Sequence, residues 1–197
     1  TPYVYQGEEL GMTNCPFGGI ENYRDIESIN AYHELTESGL RQPEELLDCI
    51  AYKSRDNART PMQWDDSENA GFTTGSPWIM VNPNYRSINA KAELADPDSV
   101  FHHYQKLIAL RRKSQWSELI VYGRYHLLAP EDKAVYAYTR ELDEKGLLVV
   151  CNLSANPVRF CVPEEVCWDG AMPLMDDVPL TRTLELAPWQ GSVWALR

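Results

Sequence analysis

Three short stretches hold the side chains that could do chemistry. The densest is Ser54–Trp64, Ser-Arg-Asp-Asn-Ala-Arg-Thr-Pro-Met-Gln-Trp, with two arginines, an aspartate, two amides and a tryptophan in eleven residues. Pro61 blocks helix continuation and has no N–H to donate, so the run reads as a loop. Such a loop suits the wall of a site for a polar, ring-shaped ligand. The same residues would also make an ion-paired surface loop held down by Trp64. The second stretch is Tyr23-Arg24-Asp25-Ile26-Glu27, at the start of a helical pattern. The third is Gln6-Gly7-Glu8-Glu9-Leu10-Gly11. Its adjacent carboxylates could serve as general acid and base. Adjacent glutamates also open helices, where they complement the dipole, and that reading is preferred.

The elements that must position these groups follow from punctuation and period. Residues 2–5 are aromatic and branched and read as a short strand. Residues 12–22 are loop, marked by Asn14, Pro16, Gly18 and Gly19. A helix leads from Glu27 to Gly39, a natural residue just past a helix end. A second helix opens at Pro43 and runs to about Ser54, with Leu46, Leu47 and Ile50 as its apolar stripe. Asp65–Tyr85 is turn-rich but carries Phe72, Trp78 and Tyr85, which need something to pack on. The spacing predicts a further helix over 97–114, capped by Asp96 with Pro97 in its first turn. Its closing Arg111, Arg112 and Lys113 read as a solvated helix end rather than a basic patch. Beyond Trp116 six short strands are expected: Leu119–Tyr125, Ala134–Arg140, Leu147–Leu153, Val158–Val162, Thr181–Leu186 and Ser192–Leu196. Such strands imply an antiparallel sheet or sandwich, with a domain boundary near Ser114–Glu118.

Composition narrows the partners. The chain has 197 residues, 44% hydrophobic and 24% charged, enough for a sizeable core. A net charge of −11 argues against nucleic acid or an anionic membrane surface. No run approaches the length of a membrane span, and no leader peptide opens the sequence. The five cysteines have no metal-ligand spacing, and free thiols in a reducing cytoplasm fit them best. His102 and His103 are adjacent on one helix and point apart, so a shared metal is not expected. The strand-like opening at Thr1-Pro2-Tyr3-Val4-Tyr5, with nothing before it to pair against, reads as the start of a fragment, and self-association of the chain is expected.

Taken together these motifs resemble the alpha-amylase family of glycoside hydrolases, family 13, and within it the oligo-1,6-glucosidase type. The residues that carry the resemblance are Thr1–Gly11, Tyr23–Glu27, Ser54–Trp64, Asn69-Ala70-Gly71-Phe72, Pro77-Trp78, Val81–Tyr85, Ser99–Phe101 and Tyr104–Arg111. The resemblance continues more loosely to Arg197. It implies an α+β chain of two parts. Residues 1–116 would be the end of a (β/α)8 barrel: last strand at 2–5, long insertion over 6–96, last helix at 97–114. Residues 117–197 would be an all-β antiparallel C-terminal sandwich domain. Loops after barrel strands build the active site in this architecture.

What the family implies for chemistry is specific. Its double displacement uses an Asp nucleophile, a Glu acid/base and a second Asp, all upstream of Thr1 in such proteins. The resemblance therefore gives this chain no catalytic residue, and neither Glu8 nor Glu9 is one. It implies two substrate-binding residues. Arg55 would hydrogen-bond the non-reducing glucose, and its rigid fork of donors suits sugar hydroxyls. Glu27 would line the next subsite. The competing role for Arg55 is a buried ion pair with Asp25 or Asp56. Arg59 and Trp64 read as braces of the loop. The expected activity is that of a cytoplasmic retaining exo-α-glucosidase acting on isomalto-oligosaccharides, with no cofactor and no metal ligand among these residues, and the chain alone inactive. Trehalose-6-phosphate hydrolase and dextran glucosidase share nearly every motif. A non-catalytic carbohydrate-binding or structural module is the alternative of another class.

Overall fold

The computed structural model describes residues 1–167 and 169–196, so the expected end of the β-domain at Arg197 lies outside the described residues. The chain divides into two compact units, Pro2–Tyr104 and Gln105–Arg197, the latter taking in Thr1.

The first unit is built from loops braced by short helices. Helix α1 spans Ile26–Glu37 and α2 spans Pro43–Lys53. Gly39 ends α1 in the left-handed region at φ 71°. The Leu40 N–H donates to Leu35 O and the Gly39 N–H to Thr36 O, which satisfies carbonyls left over at the helix end. Pro43 occupies the first turn of α2, where its missing N–H costs nothing. Ile50, Tyr23, Phe17, Cys15 and Ile79 close a small core, joined by half-buried Leu46, Ile29 and Tyr32. The Phe17 and Tyr23 rings meet at 4.8 Å.

Beyond α2 the backbone uses single 3-10 turns at Arg55–Arg59, Glu68–Gly71 and Pro83–Arg86. A short helix α3, Ala90–Ala95, is capped by the Asn89 side chain, which accepts from the Ala92 N–H. Helix α4 covers Val100–Lys113. It starts three residues later than the sequence predicts. Asp96 accepts from the Asp98 N–H in a local turn, and Ser99 Oγ accepts from the His102 N–H and so does the capping.

Residues 2–5 differ from expectation too. They are extended but not a strand, because a strand exists only by pairing and no neighbouring strand lies beside them among the described residues. Tyr3, Val4 and Tyr5 are exposed.

Among its described residues the second unit holds helix α5, Ser117–Tyr122, and seven strands: β1 Arg124–Leu128, β2 Val135–Leu142, β3 Lys145–Asn152, β4 Val158–Cys161, β5 Met172–Pro173, β6 Thr183–Leu186 and β7 Gly191–Leu196. They form a five-stranded antiparallel sheet, order β1-β2-β3-β7-β5, and a two-stranded one, β4-β6. The expected strand over Leu119–Tyr125 is therefore helix up to Tyr122. Leu119 and Ile120 pack against Leu147 and Ala195, and Gly123 N–H closes the turn onto Leu119 O. A short apolar run cannot be assigned by period alone. On the other face Val135, Ala137, Leu148, Val150 and Trp194 meet Phe160, Leu184 and Leu186 in one core, so the two sheets make a sandwich. Trp194 is fully buried and donates its indole N–H to Val178 O at 2.8 Å.

Candidate functional site

The chemistry-bearing residues of the first unit converge on one carboxylate. Asp25 stands at the N-cap position of α1, yet its side chain makes no cap bond to the helix backbone. Oδ1 accepts from Arg55 Nε at 3.1 Å and from Arg55 Nη2 at 2.6 Å, while Oδ2 accepts from Ser28 Oγ at 2.9 Å. Arg59 Nη1 lies 3.7 Å from the same Oδ1. The Asp25 side chain is only 4% exposed. Burial pushes its carboxyl up, but the hydrogen bonds from Arg55 and Ser28 and the charges of Arg55 and Arg59 outweigh this, holding it below the ordinary carboxylate value.

A second carboxylate fixes the loop that presents Arg55. Asp56 is fully buried; its Oδ2 accepts from the Arg24 N–H at 2.6 Å and the Asp25 N–H at 2.8 Å. Its Oδ1 accepts from Arg59 Nη1 at 3.1 Å. The Ser54 hydroxyl caps the turn by accepting from the Asp56 N–H. The pairing is crossed: Asp56 holds the backbone of Arg24-Asp25, and Arg55 holds the side chain of Asp25. That cross-link ties residues 24–28 to residues 54–59.

Above this buried layer sits an exposed pair. Arg55 Nη2 is 3.0 Å from Glu27 Oε2, and the two side chains are 54% and 78% exposed. The Asp25 hydrogen bond and charge raise the Arg55 pKa, so the group stays cationic at any physiological pH. Both sequence-predicted substrate residues, Arg55 and Glu27, are thus brought together. Nη1 of Arg55 has no internal partner among the described residues, which leaves two N–H donors beside a carboxylate acceptor. Donor and acceptor side by side on a rigid base can hold vicinal hydroxyls.

Other candidates go elsewhere. Glu8 accepts from the Tyr5 N–H and Glu9 from the Gly7 N–H, in a local 3-10 turn. Tyr23 is buried beneath the site in the core. Trp64 is half exposed and is fixed through its backbone, its N–H donating to Ala70 O and its carbonyl accepting from the Lys91 N–H. Sequence reasoning named Asp25 and Asp56 only as rivals for Arg55 and missed Ser28 and Ser54. The one available signal was the repeated Arg-Asp dipeptide, Arg24-Asp25 and Arg55-Asp56. Among the described residues no group of three or more His, Cys, Asp and Glu is placed to hold a metal, and no helix is long and apolar enough to cross a membrane.

Comparison with known proteins decides the lineage. Residues 1–123 match the model of the alpha amylase catalytic domain, and residues 125–190 match that of the maltogenic amylase C-terminal domain. The chain belongs to the alpha-amylase family. Over its whole length it is 49% identical to the oligo-1,6-glucosidase of Parageobacillus thermoglucosidasius, covering 35% of that protein. It is 43% identical over its whole length to the trehalose-6-phosphate hydrolase of Bacillus subtilis (strain 168), again covering 35%. The crystal structure of Bacillus licheniformis trehalose-6-phosphate hydrolase aligns with all of it at TM-score 0.92 and 44% identity, covering 36% of that chain. The chain thus spans about a third of the length of the curated relatives it matches. Within this alpha-amylase-family chain Arg55 and Glu27 face outward over the buried Asp25 carboxylate.

Proposed function

We propose that the chain works as the C-terminal portion of a retaining exo-α-glucosidase that hydrolyses α-1,6-linked gluco-oligosaccharides in the cytoplasm. Isomalto-oligosaccharides are its substrates. The observation that carries this is the 3.0 Å approach of Arg55 to Glu27 over the buried Asp25 carboxylate. Arg55 donates to hydroxyls of the non-reducing glucose, and Glu27 accepts from the sugar that follows. Neither residue forms or breaks the glycosidic bond. The carboxylates that do so lie outside this chain, so it turns nothing over alone. Identity to oligo-1,6-glucosidases supports the substrate class.

Steady-state kinetics of the full-length protein that carries this chain test the reading. With isomaltose, Arg55→Ala is expected to lower kcat/KM by about a hundredfold, as loss of an orienting contact at the reacting sugar does. Unchanged kcat/KM removes the assignment. Trehalose-6-phosphate hydrolase is the second reading, favoured by the 0.92 TM-score to that enzyme. Turnover of trehalose 6-phosphate in preference to isomaltose would establish it. The exposed Tyr3, Val4 and Tyr5 support self-association of the 197-residue chain by itself. Light scattering that finds a strict monomer ends that part.

A further inference from the structure

Two motifs singled out in the sequence, Asn69–Phe72 and Pro77-Trp78, are not used by the Arg55–Glu27 cluster. Asn69 of the first and both residues of the second line a cleft of about 340 Å³ together with Asn22, Arg24 and the strip Ile79–Val81. We propose that this cleft is a second saccharide-binding site, for neutral gluco-oligosaccharides. The sugar class rests on the glucosidase reading; the existence of the site rests on the cleft alone.

The lining has the chemistry that recognises sugars: one aromatic face, planar amides and a guanidinium. Ile79 is 2% exposed and anchors its strip in the core, which turns its neighbour Trp78 outward at 58% exposure. A half-exposed indole lining a cleft offers a platform for the C–H face of a pyranose ring. Asn69 Nδ2 is already spent on Thr73 O and Gly75 O, both at 3.2 Å, and Asn22 Nδ2 on Phe17 O at 2.7 Å. Each amide oxygen thereby remains as an acceptor of set direction. Arg24 gives Nη1 to Glu21 O and Tyr23 O, both at 3.0 Å, which keeps Nη2 and Nε as donors.

The frame is also rigid. Asn69, Ala70 and Gly71 take consecutive left-handed conformations at φ 52°, 58° and 66°. That is strained for Ala70, which is fully buried. Such a run persists only where surrounding contacts enforce it. The Trp64 and Asp65 N–H groups donating to Ala70 O do so here. A single cation lines the cleft in a chain of net charge −11, so a neutral sugar fits better than a sugar phosphate, which calls for several cations.

Isothermal titration of the whole chain with isomaltotriose tests the site. Saturable binding on the order of millimolar is expected. Trp78→Ala should weaken it about tenfold, whereas Trp78→Phe and Asp66→Ala, the latter an exposed residue outside both sites, should retain it. Isomaltotriose should also shield Trp78 of the unaltered chain from N-bromosuccinimide oxidation, read by peptide mass, which does not depend on how any variant folds. Absence of saturable binding overturns the proposal. So does binding that Trp78→Ala leaves unaffected, or preference for glucose 6-phosphate over glucose. Failure of the glucosidase reading would appear instead in the kinetics of full-length Arg55→Ala, an experiment separate from this titration and from the shielding of Trp78.

Discussion

Arg55 donates through both Nε and Nη2 to a single oxygen of Asp25, at 3.1 and 2.6 Å. The contact makes stability depend on pH in a defined direction. The folded Asp25 pKa is depressed, its burial being outweighed by hydrogen bonds and by the two arginines. The group therefore contributes stability above its unfolded pKa of about 3.9, and loses it as pH falls through the folded value. Urea denaturation at pH 6 and pH 3 should find the chain less stable at pH 3. Asp25→Asn should flatten that difference. Equal slopes for the two proteins would mean that Asp25 is not the group responsible.

Asp56 is the more expensive residue to remove. It is fully buried and satisfies two backbone N–H groups and one arginine at once. Taking away one partner of a buried ion pair leaves the rest desolvated and uncompensated. Asp56→Ala should cost about 3 kcal/mol in a denaturant titration of the chain. Asp66→Ala breaks the exposed pair with Lys91 and should change little. Comparable costs for the two would refute the role of Asp56 as the buried tie between residues 24–25 and 54–59.

How much of this could be read in advance depended on the range of the interaction. Pro43 and Gly39 announced their helix ends because each acts on its own turn. The short run Ala134–Arg140 announced β2 in the same way. Arg55 and Glu27 came from motif resemblance. Their 3.0 Å approach was not legible, because the rest of α1 and all of α2 separate them in sequence and only tertiary packing joins them. Leu119–Tyr122 misled for the reverse reason. Its residues suit a strand, yet Leu119 and Ile120 find more burial as one helical turn on Leu147 and Ala195. The segment 2–5 has strand residues and no strand partner among those described, and pairing is what local sequence cannot supply.

The thiols offer a test with a mass spectrometer. Cys15 is buried and burial pushes its pKa up to about 11. Cys49, Cys161 and Cys167 are exposed, and Cys151 is half-buried with a raised pKa. Alkylation proceeds through the thiolate. Brief iodoacetamide treatment of the native chain near pH 8 should therefore label Cys49, Cys161 and Cys167 first and Cys15 last. All five should react once the chain is unfolded. Early labelling of Cys15 would show that the core around Phe17 and Ile79 opens readily.

In the β unit the decisive polar residue is Asn152, 1% exposed at the end of β3. Its Nδ2 donates to Asn156 O and Ala187 O, both at 2.8 Å, and its Oδ1 accepts from the Ser154 N–H at 2.9 Å. One side chain thus pins the loop leading to β4 and the residue just past β6, joining the two sheets of the sandwich at one edge. Ala187 O also accepts from the Gln190 N–H and Asn156 O from the Ser154 hydroxyl, so truncation removes the ties of Asn152 without orphaning either carbonyl. Asn152→Ala should cost about 2 kcal/mol, since it removes several hydrogen bonds each worth about 0.5–1.5 kcal/mol net. Arg159→Ala breaks only the exposed cross-strand pair with Glu185 and should cost about 0.5 kcal/mol or less. Thermal unfolding of the two variants ranks them directly. A smaller loss in Asn152→Ala than in Arg159→Ala would mean that apolar packing around Trp194 holds the sheets together without this polar tie.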